Sequence, residues 1–190
     1  MRIQSSALAL LTAAVFAVSL SACASSANRS VVAPGSPAPP AALSLADGSE
    51  LHLESTRGHV VVLAFFTTWC PSSRQALKAV EELRARNAPS DLEVIAVGEG
   101  ESAAEVSAFA TSLGVRARVA FDKGGAVATQ LALPTVPAVV VIARDGTVRH
   151  VHAGYHGEGD RSALSREVTA LLEEAFPSSA AEPPEQLAAK

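Results

Sequence analysis

Residues 60–66, Val-Val-Val-Leu-Ala-Phe-Phe, form an unbroken apolar run that leads into Thr-Thr-Trp-Cys-Pro. Seven residues cannot span a bilayer, and the β-branched content favours a strand. A strand that is apolar at every position offers no face to water, so it belongs in a sheet covered on both sides. Helices must supply that cover. The first follows at once: Pro71 suits an opening helical turn, and Ala76, Leu77, Val80 and Leu83 recur at helical spacing across residues 71–86.

The pattern continues along the chain. Short apolar runs at 43–45 and 50–53 flank Asp47-Gly48, a hairpin signal. Strands are expected at 92–97, 119–121, 138–143 and 147–152, the last two joined by a turn at Asp145-Gly146. Helices are expected at 102–113, with Gly114 as a stop, at 125–131, and at 161–176. Strands alternating with helices, then a hairpin and a closing helix, give an α/β fold with a central mixed β-sheet flanked by helices.

The ends read differently. Arg2 and the apolar residues 7–20 have the form of a signal peptide, and Leu20-Ser21-Ala22-Cys23 matches a bacterial lipobox. The expectation is a lipoprotein signal peptide at 1–22 and a mature chain that starts at Cys23, the lipidation site. Residues 23–40, rich in Ala, Ser, Pro and Gly, read as a lipidated flexible tether, 41–176 as the folded domain and 177–190 as a disordered tail. The protein is then held at the cell envelope facing the periplasm. With Ala24 rather than Asp after the cysteine, the start of the mature chain resembles sorted lipoproteins of enteric bacteria, which implies the outer rather than the inner membrane. A net charge of −4 without a Lys/Arg cluster argues against nucleic acid as a partner.

With Cys23 lipidated, Cys70 is the odd cysteine left over. It stands where strand gives way to helix, and free N–H groups with the positive helix end favour a thiolate there. The thiolate is the nucleophile of disulfide exchange.

On these residues the chain resembles the TlpA/ResA-like branch of the thioredoxin superfamily, the membrane-tethered thiol–disulfide oxidoreductases. Trp69-Cys70-Pro71 and Arg74 match that family's W-C-P-x-C-R motif, Thr135-Val136-Pro137 its cis-proline loop, and 142–148 its late hairpin. The resemblance covers about residues 38–176 and accommodates an extra strand–helix unit around 95–113. It implies the thioredoxin-like fold, an active-site segment of Trp69, Cys70, Pro71, Ser72, Ser73 and Arg74, and substrate pairing beside the cis proline. It implies protein or low-molecular-weight thiols and disulfides as partners, no cofactor, no metal and a monomer.

The departure is Ser73, which replaces the second cysteine, and Ala64 stands where thioredoxin has a buried acid. A hydroxyl cannot resolve a mixed disulfide, although Ser73 can donate a hydrogen bond to the Cys70 thiolate. Three readings follow. The first is a monothiol oxidoreductase that depends on an external thiol. The second is a redox-silent peptide-binding module. The third is a peroxidase with Thr67 three residues before Cys70 and Arg144 or Arg149 steadying the peroxide, against which Leu63 occupies the expected proline position. His150, His152 and His156 cluster near the late hairpin and read as a solvated face, and His52 and His59 flank strands and carry no motif. Trp69 reads either as core or as a cap over the site.

Overall fold

The structure, a computed structural model, describes residues 32–176. The expected signal peptide 1–22, Cys23, the first part of the tether and the tail 177–190 lie outside the described residues. Seven strands make one sheet in the order β2-β1-β5-β4-β3-β6-β7. These are β1 (Ala42–Leu45), β2 (Glu50–His52), β3 (Val60–Phe66), β4 (Leu92–Glu99), β5 (Arg118–Asp122), β6 (Ala138–Ile142) and β7 (Val148–Ala153). β3, β4 and β5 run parallel, whereas β6 runs antiparallel to β3 and β7 to β6, so the sheet is mixed. Four helices flank it: α1 (Pro71–Arg86), α2 (Ala103–Ser112), α3 (Ala126–Gln130) and α4 (Glu158–Glu173). Together with the N-terminal hairpin this is the thioredoxin-like α/β fold.

β3 lies between β4 and β6, and every one of its residues is buried. Val60, Val62, Ala64 and Phe66 face Leu77 and Val80 of α1, Val106 of α2 and Leu164 and Val168 of α4. Val61, Leu63 and Phe65 face the other way, toward Val127 and Ala128 of α3 and toward Leu43 and Leu53. The continuous apolar run therefore feeds two cores. Burying one Val or Leu side chain contributes about 1.5–3 kcal/mol, so β3 is a principal source of stability.

Several boundaries differ from the sequence reading. Leu53 leaves the strand and opens a short 3-10 turn, Leu53–Thr56, whose Thr56 hydroxyl donates to the Leu53 carbonyl at 2.7 Å. β4 runs on through Gly98 to Glu99, paired with Phe121 and Asp122 of β5, and α2 lies so close to residue 98 that a Cβ there would stand 2.3 Å from a Val106 methyl. α4 opens at Glu158 rather than 161, with Glu158 and Asp160 placed favourably in its first turn. Residues 35–38, expected within the tether, are instead fastened to the free edge of β7. Gly35 N–H donates to Val148 O at 2.7 Å, Ala38 N–H donates to Gly146 O at 2.9 Å, and Pro37 pairs with Thr147. Proline fits there because an edge position demands no N–H from it.

Candidate functional site

The parallel register of β3 and β4, ending at Phe66 opposite Gly98, sends two loops out of the same end of the sheet. One is residues 67–70, which leads into α1. The other is residues 100–102, which leads into α2. β6 starts at that end too, with Ala138 beside Phe65. The Val136–Pro137 peptide immediately before it is cis, as the resemblance implied. Cys70 and Pro137 thus share one pole of the domain.

Cys70 is the N-cap residue of α1, with extended backbone at φ −86° and ψ 120°, and Pro71 opens the helix. The thiol is free and half-buried. Its nearest polar partner is Ser72, whose Oγ lies 3.2 Å from Sγ. That hydroxyl is the largest influence holding the thiol below its ordinary pKa. Burial opposes it, and the Ser73 N–H, the Ser73 hydroxyl and the Ser72 N–H assist. Each donor stabilises the anion more than the neutral thiol.

The sequence reading gave the hydrogen bond to Ser73, and the structure makes Ser72 the principal partner. Ser73 is fully buried. Its Oγ accepts from the Thr67 backbone N–H at 3.3 Å, so its main task is to tie the loop to the helix. The side chain takes this direction because α1 turns position 73 under the loop while position 72 stays outside.

Trp69 is 75% exposed, which removes its reading as core. Arg74 lies over the Phe109 ring, 4.7 Å from the centroid, and Phe109 stacks on Phe66 at 5.8 Å. Arg74 thus secures α1 to α2. Val136 packs against the second core and Thr135 is exposed, which leaves the loop before Pro137 open to solvent.

Two acids at this pole escaped the sequence reading. Glu101 accepts from Thr68 twice, from the backbone N–H at 2.7 Å and from the hydroxyl. Glu99 has a buried Oε2 without a partner, as has the Thr67 hydroxyl. Burial, then the nearby Asp122 carboxylate, raises the Glu99 pKa. A capping box is legible as Ser102-x-x-Glu105 and places the loop, yet no local pattern says that Glu101 reaches Thr68.

The arginines considered for a peroxide site are elsewhere. Arg144 follows β6, whose Ile142 pairs with Val61, five strand steps or about 16 Å below Phe66. Its guanidinium donates to the carbonyls of Leu171, Leu172 and Glu174 and caps α4. Arg149 pairs with Glu174 at 2.8 Å. His150 and His152 both face Glu167 of α4, at 3.5 and 2.6 Å, and His156 faces Asp160 at 3.2 Å. Among the described residues no group of three or more His, Cys, Asp or Glu side chains is arranged to hold a metal. No helix among them is long and apolar enough to cross a membrane.

Comparison with known proteins agrees with this layout. The Redoxin family matches residues 33–168. The thiol-disulfide oxidoreductase ResA of Geobacillus thermodenitrificans is 29% identical over 127 residues, 67% of this chain and 73% of the relative. Among solved structures, a protein disulfide isomerase candidate from Bacteroides thetaiotaomicron superposes with a TM-score of 0.69 at 28% identity, over 76% of this chain and 92% of that one. A candidate thiol:disulfide interchange protein DsbE from Chlorobium tepidum gives 0.67 at 27% identity, over 72% and 95%.

Proposed function

The chain belongs to the Redoxin family, and on that premise we propose that it is a lipid-anchored, extracytoplasmic monothiol–disulfide oxidoreductase acting through Cys70. The observation that carries this reading is the half-exposed Cys70 thiol, at the start of α1 with the Ser72 hydroxyl 3.2 Å away, on the pole that holds cis Pro137. A helix N-terminus and donated hydrogen bonds favour the reactive anion, and an extended peptide can pair beside Val136.

The Cys70 thiolate attacks one sulfur of a disulfide R–S–S–R′. A Cys70–S–S–R bond forms as the old S–S bond breaks, and R′S⁻ leaves and takes a proton from water. Ser73 offers no second sulfur. A separate thiol R″–SH, small or protein-borne, loses its proton and attacks the sulfur of R. The products are R–S–S–R″ and the Cys70 thiolate. Lipid on Cys23 would hold the domain at the envelope.

Mass spectrometry of the non-reduced protein from its own cells tests the reading. A disulfide adduct on Cys70, absent in Cys70→Ser, is expected, together with a diacylglyceryl group on Cys23. Alkylation of Cys70 near pH 6 no faster than that of free cysteine would leave a redox-silent peptide-binding module instead.

A further inference from the structure

The loop that carries the nucleophile has little to hold it. Residues 67–70 lie between β3 and α1. Trp69 is mostly in water, and the Cys70 side chain makes no capping bond to its helix. One support is the Ser73 hydroxyl beneath Thr67. Another comes from the side, where the Glu101 carboxylate receives both the N–H and the hydroxyl of Thr68.

Glu101 is well anchored itself. Just before it, Gly100 takes φ +73° and donates its N–H to Asp122 O at 3.3 Å. Just after it, Ser102 and Glu105 form a reciprocal capping box that fixes the start of α2. A carboxylate pre-placed in this way gives two charge-assisted hydrogen bonds at little entropic cost. Both go to one residue, two positions upstream of the sulfur. The hydrogen bonds to Thr68 link Glu101 to the sulfur through the backbone of residues 68–70.

We propose that Glu101 is a positioning residue for the thiol chemistry, clamping Thr68 so that Trp69 and Cys70 are presented in fixed geometry to an incoming disulfide. The kinetic part of this proposal rests on the oxidoreductase reading above. The loop part does not.

The test uses the full chain in detergent, with Glu101→Ala, the near-isosteric Thr68→Val, and the double variant. Trp69 is the sole tryptophan, so its fluorescence reports the loop directly. Lower anisotropy and easier acrylamide quenching are expected in Glu101→Ala, with a smaller change in Thr68→Val, which keeps the backbone bond. The rate of mixed-disulfide formation with oxidised glutathione should fall by about tenfold to a hundredfold in Glu101→Ala, since a misplacement of about 1 Å can cost a hundredfold. The double variant should be no slower than Glu101→Ala, because both changes break the same link.

Unchanged Trp69 fluorescence overturns the proposal. So does a loosened Trp69 with an unchanged glutathione rate, since the chemistry would then not need the clamp. Additive losses in the double variant overturn it too. Should the unaltered protein fail to react with glutathione disulfide, the oxidoreductase reading falls, and the Trp69 signal still decides whether Glu101 holds the loop.

Discussion

Ser73 occupies the position from which a second sulfur would act, and the structure gives it another task that a single substitution isolates. In Ser73→Ala the Thr67 N–H, in a residue only 8% exposed, loses its acceptor at 3.3 Å. A buried donor left unpaired costs about 1–3 kcal/mol, and the long bond places this case in the lower half of that range. For a domain of this size each kcal/mol shifts the melting temperature by roughly 2–4 °C, so a fall of about 2–8 °C is expected by circular dichroism. The pH profile of Cys70 alkylation should move less than in Ser72→Ala, because the Ser72 hydroxyl is the larger stabiliser of the thiolate. Ser73→Cys adds the complementary test. The Ser73 N–H donates to the Cys70 carbonyl at 3.1 Å, closing one turn between the two residues. Residues three apart on a helix have Cβ atoms about 5–6 Å apart and a disulfide needs about 3.5–4.5 Å, so a small closing of the turn at the N-cap, where Cys70 is not yet helical, should let oxidation link positions 70 and 73. An alanine variant that melts with the original, or a cysteine variant that never forms the bridge, would refute the assigned direction of this side chain.

Three further outcomes follow from the geometry. Ser72→Ala should raise the Cys70 pKa, seen as slower iodoacetamide reaction at pH values below the ordinary thiol range, with rates converging at high pH. Gly98→Ala should destabilise by about 1–3 kcal/mol through overpacking against Val106, and adding Val106→Ala should restore part of the loss. Glu99→Gln should change the pH dependence of stability. The folded-state pKa is raised, so Glu99 contributes most below its unfolded value of 4.5, and that contribution is lost as pH rises through the folded pKa. Melting measured from pH 4.5 to 8 should show the glutamine variant gaining on the original as pH increases, and a constant difference would contradict the burial of Oε2.

What the sequence made legible were features whose physics is local. The run at 60–66 announces burial on both faces by itself, Pro71 and the spacing of Leu77, Val80 and Leu83 announce α1, and together they place Cys70 at a helix start. The 35–38 segment was misread for the same reason. Its composition speaks for a solvated chain, and only the free edge of β7, more than 100 residues later, gives its backbone a partner. The roles of the two serines differ by which side of one helical turn each occupies, and the partner of Ser73, Thr67, lies six residues upstream. Glu101 was hidden more deeply. It is one acid among 19, and its meeting with Thr68 depends on a parallel register that sets Phe66 opposite Gly98.

That register also explains how one sulfur suffices to leave the site intact. In a two-thiol loop the second sulfur is both resolving group and part of the loop's packing. Here the packing half of that role falls to Ser73, which keeps the Thr67 backbone satisfied, while Ser72 steadies the anion from outside and Glu101 holds Thr68. Only the resolving half is missing, and in the proposed reaction a thiol from solution would supply it at the pole that exposes Trp69 and leaves Cys70 half-exposed. The frame around Cys70 therefore does not depend on a second cysteine, and a nucleophile held ready without its own resolving partner is what an exchange with an external thiol requires.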